Sequence, residues 1–188
     1  MARLFSLKPA LTYRGRKFKG LRGWAGKPTH PPLTDFPVVA YILAAIFDAV
    51  SFFAGGVERL ATDMFRAATY VIVAGLVVSI PTAITGLWDW WKSTPRGTQA
   101  WRTANAHMAS MVAVTLLVIA DVGLRLGAWD AGVTGGVVFA LSVVAGALVA
   151  IGAVYGGSLV YDYGFNVETS GDHAAWHESE TDVYPGQR

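Results

Sequence analysis

The chain has 188 residues, 53% of them hydrophobic and only 15% charged, and its mean hydropathy of +0.41 is too high for an ordinary soluble domain. It contains no cysteine, which excludes disulfides, thiolate metal sites, cysteine-held iron–sulfur clusters and cysteine nucleophiles within it. Eight of the fifteen Lys and Arg precede His30 and six of the thirteen acids lie from Asp162 onward; cations flanking apolar segments suit an anionic bilayer surface rather than nucleic acid.

Residues 1–29 are basic, contain no acid, and show no apolar run with a small-residue cleavage site, so they read as a cytoplasmic tail and not as a cleavable signal. Two readings of this tail stand side by side: Phe5, Tyr13, Phe18 and Trp24 rest on the headgroups, or the leader is a charged segment that only fixes topology. His30-Pro31-Pro32 punctuates the entry to the first span, expected over 34–55, because proline suits the first turn of a helix. Asp48 interrupts this span about two turns from its far end. Gly55-Gly56 turns the chain, residues 57–66 form a short amphipathic lead, and the second span is expected over 67–91. Pro81 lies deep inside it and predicts a kink, with Thr82 and Thr85 placed to satisfy the freed backbone.

Residues 92–99 form a turn, the third span is expected over 102–126, and the fourth over 133–160. Gly146, Ala150, Gly152 and Gly156 give the fourth helix a face on which another helix can approach closely. The chain thus divides into a basic tail (1–29), a domain of four transmembrane helices (30–167) and an acidic, polar cytoplasmic tail (168–188). The fold class is all-α: an integral membrane four-helix bundle. Lys92, Arg96, Arg102 and the eight leader cations lie on one side, against Arg59, Arg66 and Arg125 on the other. The positive-inside rule then puts both termini in the cytoplasm and the protein in the cell inner membrane, with Trp88, Trp90, Trp91 and Trp101 as the inner aromatic belt.

The stretch from Ile80 to His107 organises the chain, joining the end of one helix to the start of the next. At its level the helices gather His30, Asp35, Asp89, Asn105, His107, Tyr155 and Tyr161. An outer set gathers Asp48, Asp63, Arg66, Asp121 and Arg125. Charges in hydrocarbon must pair or neutralise, so the outer set is expected to pair Asp121 with Arg125, and Asp48 with Arg66 or Arg125. The inner set has two readings. His30 and His107 are candidate axial ligands of a b-type haem, or groups at a quinone headgroup. Alternatively Asp89 and His107 form a structural pair within a polar network that includes Asn105. The second reading is favoured, because His30 precedes two prolines at the entrance of its helix, whereas bis-histidine haem draws on residues well inside helices. In the tail, His173 and His177 stand four apart beside Glu178 and Glu180, but no third ligand is fixed and no metal site is expected. No catalytic residue can be assigned.

The runs His30-Pro31-Pro32-Leu33-Thr34-Asp35-Phe36-Pro37 with Asp48 following, Gly86-Leu87-Trp88-Asp89-Trp90, the surroundings of His107, and GGSLVYDYGFNV over 156–167 resemble a bacterial family of predicted four-span membrane proteins, domain-of-unknown-function family 2231. The resemblance covers residues 30–167, and its closing Gly-Gly-x-Leu-Val-Tyr-x-x-Gly piece is the most specific part. Members usually carry a hydrophobic residue and a second histidine after the first His-Pro-Leu; Thr34-Asp35 stands there in this chain, which removes any ligand role for that position. Some relatives are joined to, or neighbour, Rieske-type iron–sulfur domains, so the resemblance implies a respiratory or redox setting, with this chain as a membrane partner.

Together these observations lead to the expectation of a small, non-catalytic accessory or anchoring subunit that docks to other membrane subunits of a larger electron-transport assembly. The alternative is a redox module in its own right, holding haem b or quinone. A transporter is disfavoured, since paired discontinuous segments are missing from the pattern.

Overall fold

The computed structural model describes residues 20–21, 28–54 and 56–165. The leader aromatics that one reading rests on the headgroups (Phe5, Tyr13, Phe18, Trp24), Gly55, the His173–His177 pair and the end of the closing motif lie outside the described residues. Four helices carry the fold: α1 (His30–Phe53), α2 (Glu58–Ser93), α3 (Gln99–Gly127) and α4 (Gly136–Tyr161), with a short 3-10 turn at Trp129–Ala131. Each is long and apolar enough to cross a membrane, and together they make a multi-pass membrane four-helix bundle.

Two of these helices differ from their hydropathic outlines. α1 begins at His30 rather than 34, because Pro31 and Pro32 occupy its first turn, where a missing N–H costs nothing. α2 absorbs the expected amphipathic lead and runs unbroken through Pro81 for 36 residues, about 54 Å, well beyond a hydrocarbon core of about 30 Å. Prolines leave orphan carbonyls four residues earlier, and a threonine hydroxyl attends to the one that Pro37 frees. Pro37 leaves the Leu33 carbonyl without its helical partner, and Thr82 Oγ1 donates to it across the helix pair at 3.3 Å. The same hydroxyl reaches Val78 O at 2.8 Å, and Thr85 Oγ1 donates to Pro81 O at 2.9 Å.

α2 and α3 are joined by a turn in which Gly97 adopts φ +77°, a left-handed conformation that a side chain would strain. Thr98 then caps α3, its hydroxyl accepting from Trp101 N at 3.1 Å.

α1 is the hub: it packs on α2 and on α4, α3 packs on α4, and α2 touches α3 more lightly. The core joins Ala40, Tyr41 and Ala44 of α1 to Ile72 of α2, Val114 and Val118 of α3, and Ala145 and Val149 of α4. Lipid offers no hydrophobic drive for helix association, so close approach must supply the packing. A Cβ at Gly75 would stand 2.8 Å from Ala40 Cβ, and one at Gly146 would stand 3.2 Å from Ala45 Cβ. Tyr41, the one large polar side chain of the core, is satisfied by Ser79 Oγ at 2.7 Å. Val39, Ile46, Val77, Ile84, Leu116 and Val154 are exposed, as side chains turned to acyl chains must be.

Candidate functional site

α2 and α3 both extend past the start of α1 toward the turn that joins them, so His30 is not at the edge of the bundle. Its ring lies against α2 at the level of Thr82 and Gly86. Nδ1 meets Thr82 O at 3.0 Å, and a Cβ at Gly86 would stand 2.6 Å from the ring's Cε1. His107, two turns into α3, lies against α4 in the same manner. Its Nδ1 meets Gly152 O at 2.8 Å, and a Cβ at Gly156 would stand 3.1 Å from Cε1. A carbonyl oxygen can only accept, so each Nδ1 carries the proton, and in the neutral ring each Nε2 keeps its lone pair. The two half-buried imidazoles are neighbours in an edge-type arrangement, with ring centroids 6.4 Å apart and planes at 78°.

The rest of the inner set is arranged differently from the expectation. Asp89 does not pair with His107. Its buried carboxylate accepts from Leu21 N at 2.8 Å, and Leu21 O in turn accepts from Thr29 N at 3.2 Å, so the chain ahead of His30 is strapped to the end of α2. Asp89 sits at the right height for His107, but on a face turned toward the leader. Asn105 Oδ1 accepts from Trp90 Nε1 at 2.9 Å, bridging α2 to α3 just outside the two imidazoles. Asp35, Tyr155 and Tyr161 are exposed and take no part. Lys92 Nζ lies 3.9 Å from the Trp91 ring centre and 5.3 Å from that of Trp88, a cation snorkelling among interface aromatics.

At the opposite end, the guanidinium of Arg125 takes both carboxylates. It donates to Asp121 through Nε at 2.9 Å and Nη2 at 3.2 Å. To Asp48 it donates through Nη1 at 2.9 Å and also through Nη2. All three side chains are fully buried. Thr134 Oγ1 adds a bond to Asp48 Oδ1 at 2.9 Å. Arg66, the other partner considered for Asp48, lies instead over the Trp129 ring at 5.7 Å, and Asp63 makes a loose, exposed contact with Arg59 at 3.8 Å.

The two ends reveal a relation that the spans alone do not. In each hairpin, α1–α2 and α3–α4, a histidine on the first helix rests on a glycine of the second and bonds the carbonyl four residues before that glycine. In each, a charged residue follows the histidine by 18 positions, Asp48 in one and Arg125 in the other. Five helical turns, about 27 Å, separate the levels, so the imidazoles meet at one end of the bundle and Asp48 meets Arg125 at the other. The hairpins behave as two copies of one unit running in the same direction. The seats at Gly86, Gly156 and Thr82, and the roles of Ser51 and Thr134, went unread in the sequence. The equal 18-residue spacing was the available signal.

What this site can hold follows from its donors. Among the described residues no three His, Asp or Glu side chains gather to bind a bare ion, whereas a metalloporphyrin brings four nitrogens of its own and asks the protein for two. An imidazole nitrogen binds a transition metal at about 2.0–2.1 Å, and it lies about 1.1 Å from its ring centre. Two imidazoles sharing one metal between them would need ring centres about 6.3 Å apart, and the observed 6.4 Å meets that requirement of distance. The Nδ1–carbonyl bonds are the outer contacts that orient metal-binding histidines.

A family model described as "Predicted membrane protein (DUF2231)" covers residues 26–169. No curated protein matches, and no solved structure does.

Proposed function

Since the chain belongs to the DUF2231 family of predicted membrane proteins, we propose that it is a b-type haem redox module of the membrane, with His30 and His107 as axial ligands. The observation that carries this reading is the pair of imidazoles 6.4 Å apart, each held through Nδ1 by a backbone carbonyl. The chain's own contribution is to fix both tautomers, to hold the rings on glycine seats that leave them no room to retreat, and to surround them with apolar helix. A haem held by both imidazoles would supply one-electron chemistry. Such a module needs a donor and an acceptor, so docking to a larger electron-transport assembly belongs to the proposal.

The test is spectroscopic. Protein purified from haem-replete cells should show a Soret band and a sharp reduced α-band, and His30→Ala and His107→Ala should each abolish them. If the native protein is colourless, or if its spectrum survives both substitutions, the imidazoles are a structural edge-to-face pair and the reading falls.

The proposal also includes the inner membrane and a cytoplasmic position for both termini, supported by eleven cations on the side of the α2–α3 turn against Arg59, Arg66 and Arg125 on the other. Reporter fusions at residues 1 and 188 should both report cytoplasm. A periplasmic signal from either end would reverse the orientation.

A further inference from the structure

We propose, resting on the haem reading above, that this module exchanges electrons through one membrane face only, the face of the α2–α3 turn, and so passes electrons along the membrane surface rather than across the bilayer. Depth sets the face of exchange. Gly86, on which His30 rests, lies seven residues from the end of α2 at Ser93, and His107 lies eight residues into α3 from Gln99. The imidazoles are therefore about 10–12 Å in from the helix ends on that side.

Toward the other side the same helices run on. Asp48 and Arg125 stand about 27 Å further along. The core of the intervening layer is aliphatic apart from Tyr41, whose hydroxyl is tied to Ser79, and the hydroxyls of Ser110, Thr115 and Ser142 in this layer are spent on carbonyls of their own helices, so none of these groups is a redox centre. A module that carries electrons across a bilayer needs a second redox centre near the far face. By the repeat relation, the position of such a centre between α1 and α3 is occupied by the Asp48–Arg125–Asp121 cluster. Its guanidinium is committed to both carboxylates, its three side chains are fully buried, and it contains no soft ligand. The far end of the bundle is thus an ionic clasp that closes it.

The step balances simply. A haem held by His30 and His107 would take one electron from a one-electron carrier at the turn face, which is oxidised by one electron, and would give it to a second carrier at the same face, which is reduced by one electron. Each imidazole keeps its proton on Nδ1, donated to Thr82 O or Gly152 O, so neither ring takes up or releases a proton.

The experiment uses the full-length, haem-loaded protein in sealed vesicles. The chain has no cysteine, so Arg96→Cys in the exposed turn, labelled with an impermeant maleimide, reports which face is outward. Vesicles enriched in each orientation then receive an impermeant reductant, dithionite in one series and hexaammineruthenium(II) in another, so that the sign of the reductant's charge cannot create the preference. The α-band should appear with both reductants when the turn faces outward, and should stay absent over the same interval when it faces inward. A second readout is independent of turnover. Trp129 lies at the clasp end, while Trp90 lies one helical turn beyond Gly86 at the other. Haem should quench the nearer indoles more, so Trp129→Phe should remove a larger fraction of emission from the haem-loaded protein than from the haem-free one. Equal reduction from both faces, or an equal fractional loss of emission, overturns the inference and leaves the haem reading standing. Failure to observe a Soret band at all overturns the reading on which it rests.

Discussion

At the scale of the residue, Gly86 and Gly156 decide where the imidazoles can be. A methyl group at Gly86 would stand 2.6 Å from His30 Cε1, closer than real Cβ atoms come, whereas one at Gly156 would stand 3.1 Å from His107 Cε1, a tight contact that a shift of a few tenths of an ångström relieves. His30 has little freedom to move, because Pro31 and Pro32 fix the backbone behind it. Gly86→Ala should therefore cost most of the haem content of the purified protein, and Gly156→Ala much less, with the haem-to-protein absorbance ratio as the measure. Equal loss in both would show that the seats do not set ring position. The sequence displayed both histidines and both glycines, but not which would meet. His30 looked disqualified by its place at a helix entrance, and only the overhang of α2 and α3 encloses it. Asp89 looked like the natural partner of His107 because axial height can be counted along a helix. The direction in which a carboxylate points depends on helix packing, which the pattern does not encode. Asp48 and Arg125 were easier to read, since two charges at matching depth in hydrocarbon have few other options.

At the scale of the element, the ends of the helices away from the α2–α3 turn are tied by one hydroxyl. Ser51 Oγ, near the end of α1, donates to Ala61 O in the first turn of α2 at 2.8 Å and accepts from Thr134 N ahead of α4 at 3.1 Å. It is buried, so neither backbone group has water as an alternative. Ser51→Ala should leave Thr134 N–H without its partner, while Ala61 O keeps its place in the helical ladder, and should lower stability by about 1–3 kcal/mol, read as a fall in thermal midpoint in detergent. Ser51→Thr, which keeps the hydroxyl, should recover part of the loss. A midpoint unchanged in Ser51→Ala would mean that the loop between α3 and α4 is not held by this contact. Hydropathy made the four apolar cores legible but not their ends. Residues 57–66 carry Glu58, Arg59, Asp63 and Arg66, which lower the hydropathy without lowering helix propensity, so a continuous α2 looked like a lead followed by a span.

At the scale of the whole molecule, the repeat makes a stronger demand than a four-helix bundle alone. If α1–α2 and α3–α4 are two copies of one unit, each hairpin should form by itself and the pair should assemble without the covalent link. The connection runs through exposed Pro95 and Arg96 to Gly97, the kind of site where cleavage is tolerated. The hairpins are held together by α1 on α4, by the shared core of Ala40 and Ala44 with Val114 and Val118, by the Trp90–Asn105 bond and the bonds of Thr134 to Asp48 and Ser51, and by the Arg125 clasp on Asp48. Fragments 1–95 and 96–188, expressed together, should co-purify in mild detergent and carry the same haem spectrum as the intact chain. Expressed alone, each offers one histidine of the pair and should be colourless. The clasp should matter most in this split form. Arg125→Ala strands two buried carboxylates, a loss of about 3–5 kcal/mol. In the intact chain the turn still holds the hairpins at high effective concentration, but in the split pair the same loss falls directly on association. Arg125→Ala should therefore abolish co-purification of the fragments while the intact variant still extracts as a folded protein of lowered thermal midpoint. Fragments that fail to associate even with Arg125 present would show that the hairpins are not independent units, and the repeat would then be a coincidence of spacing.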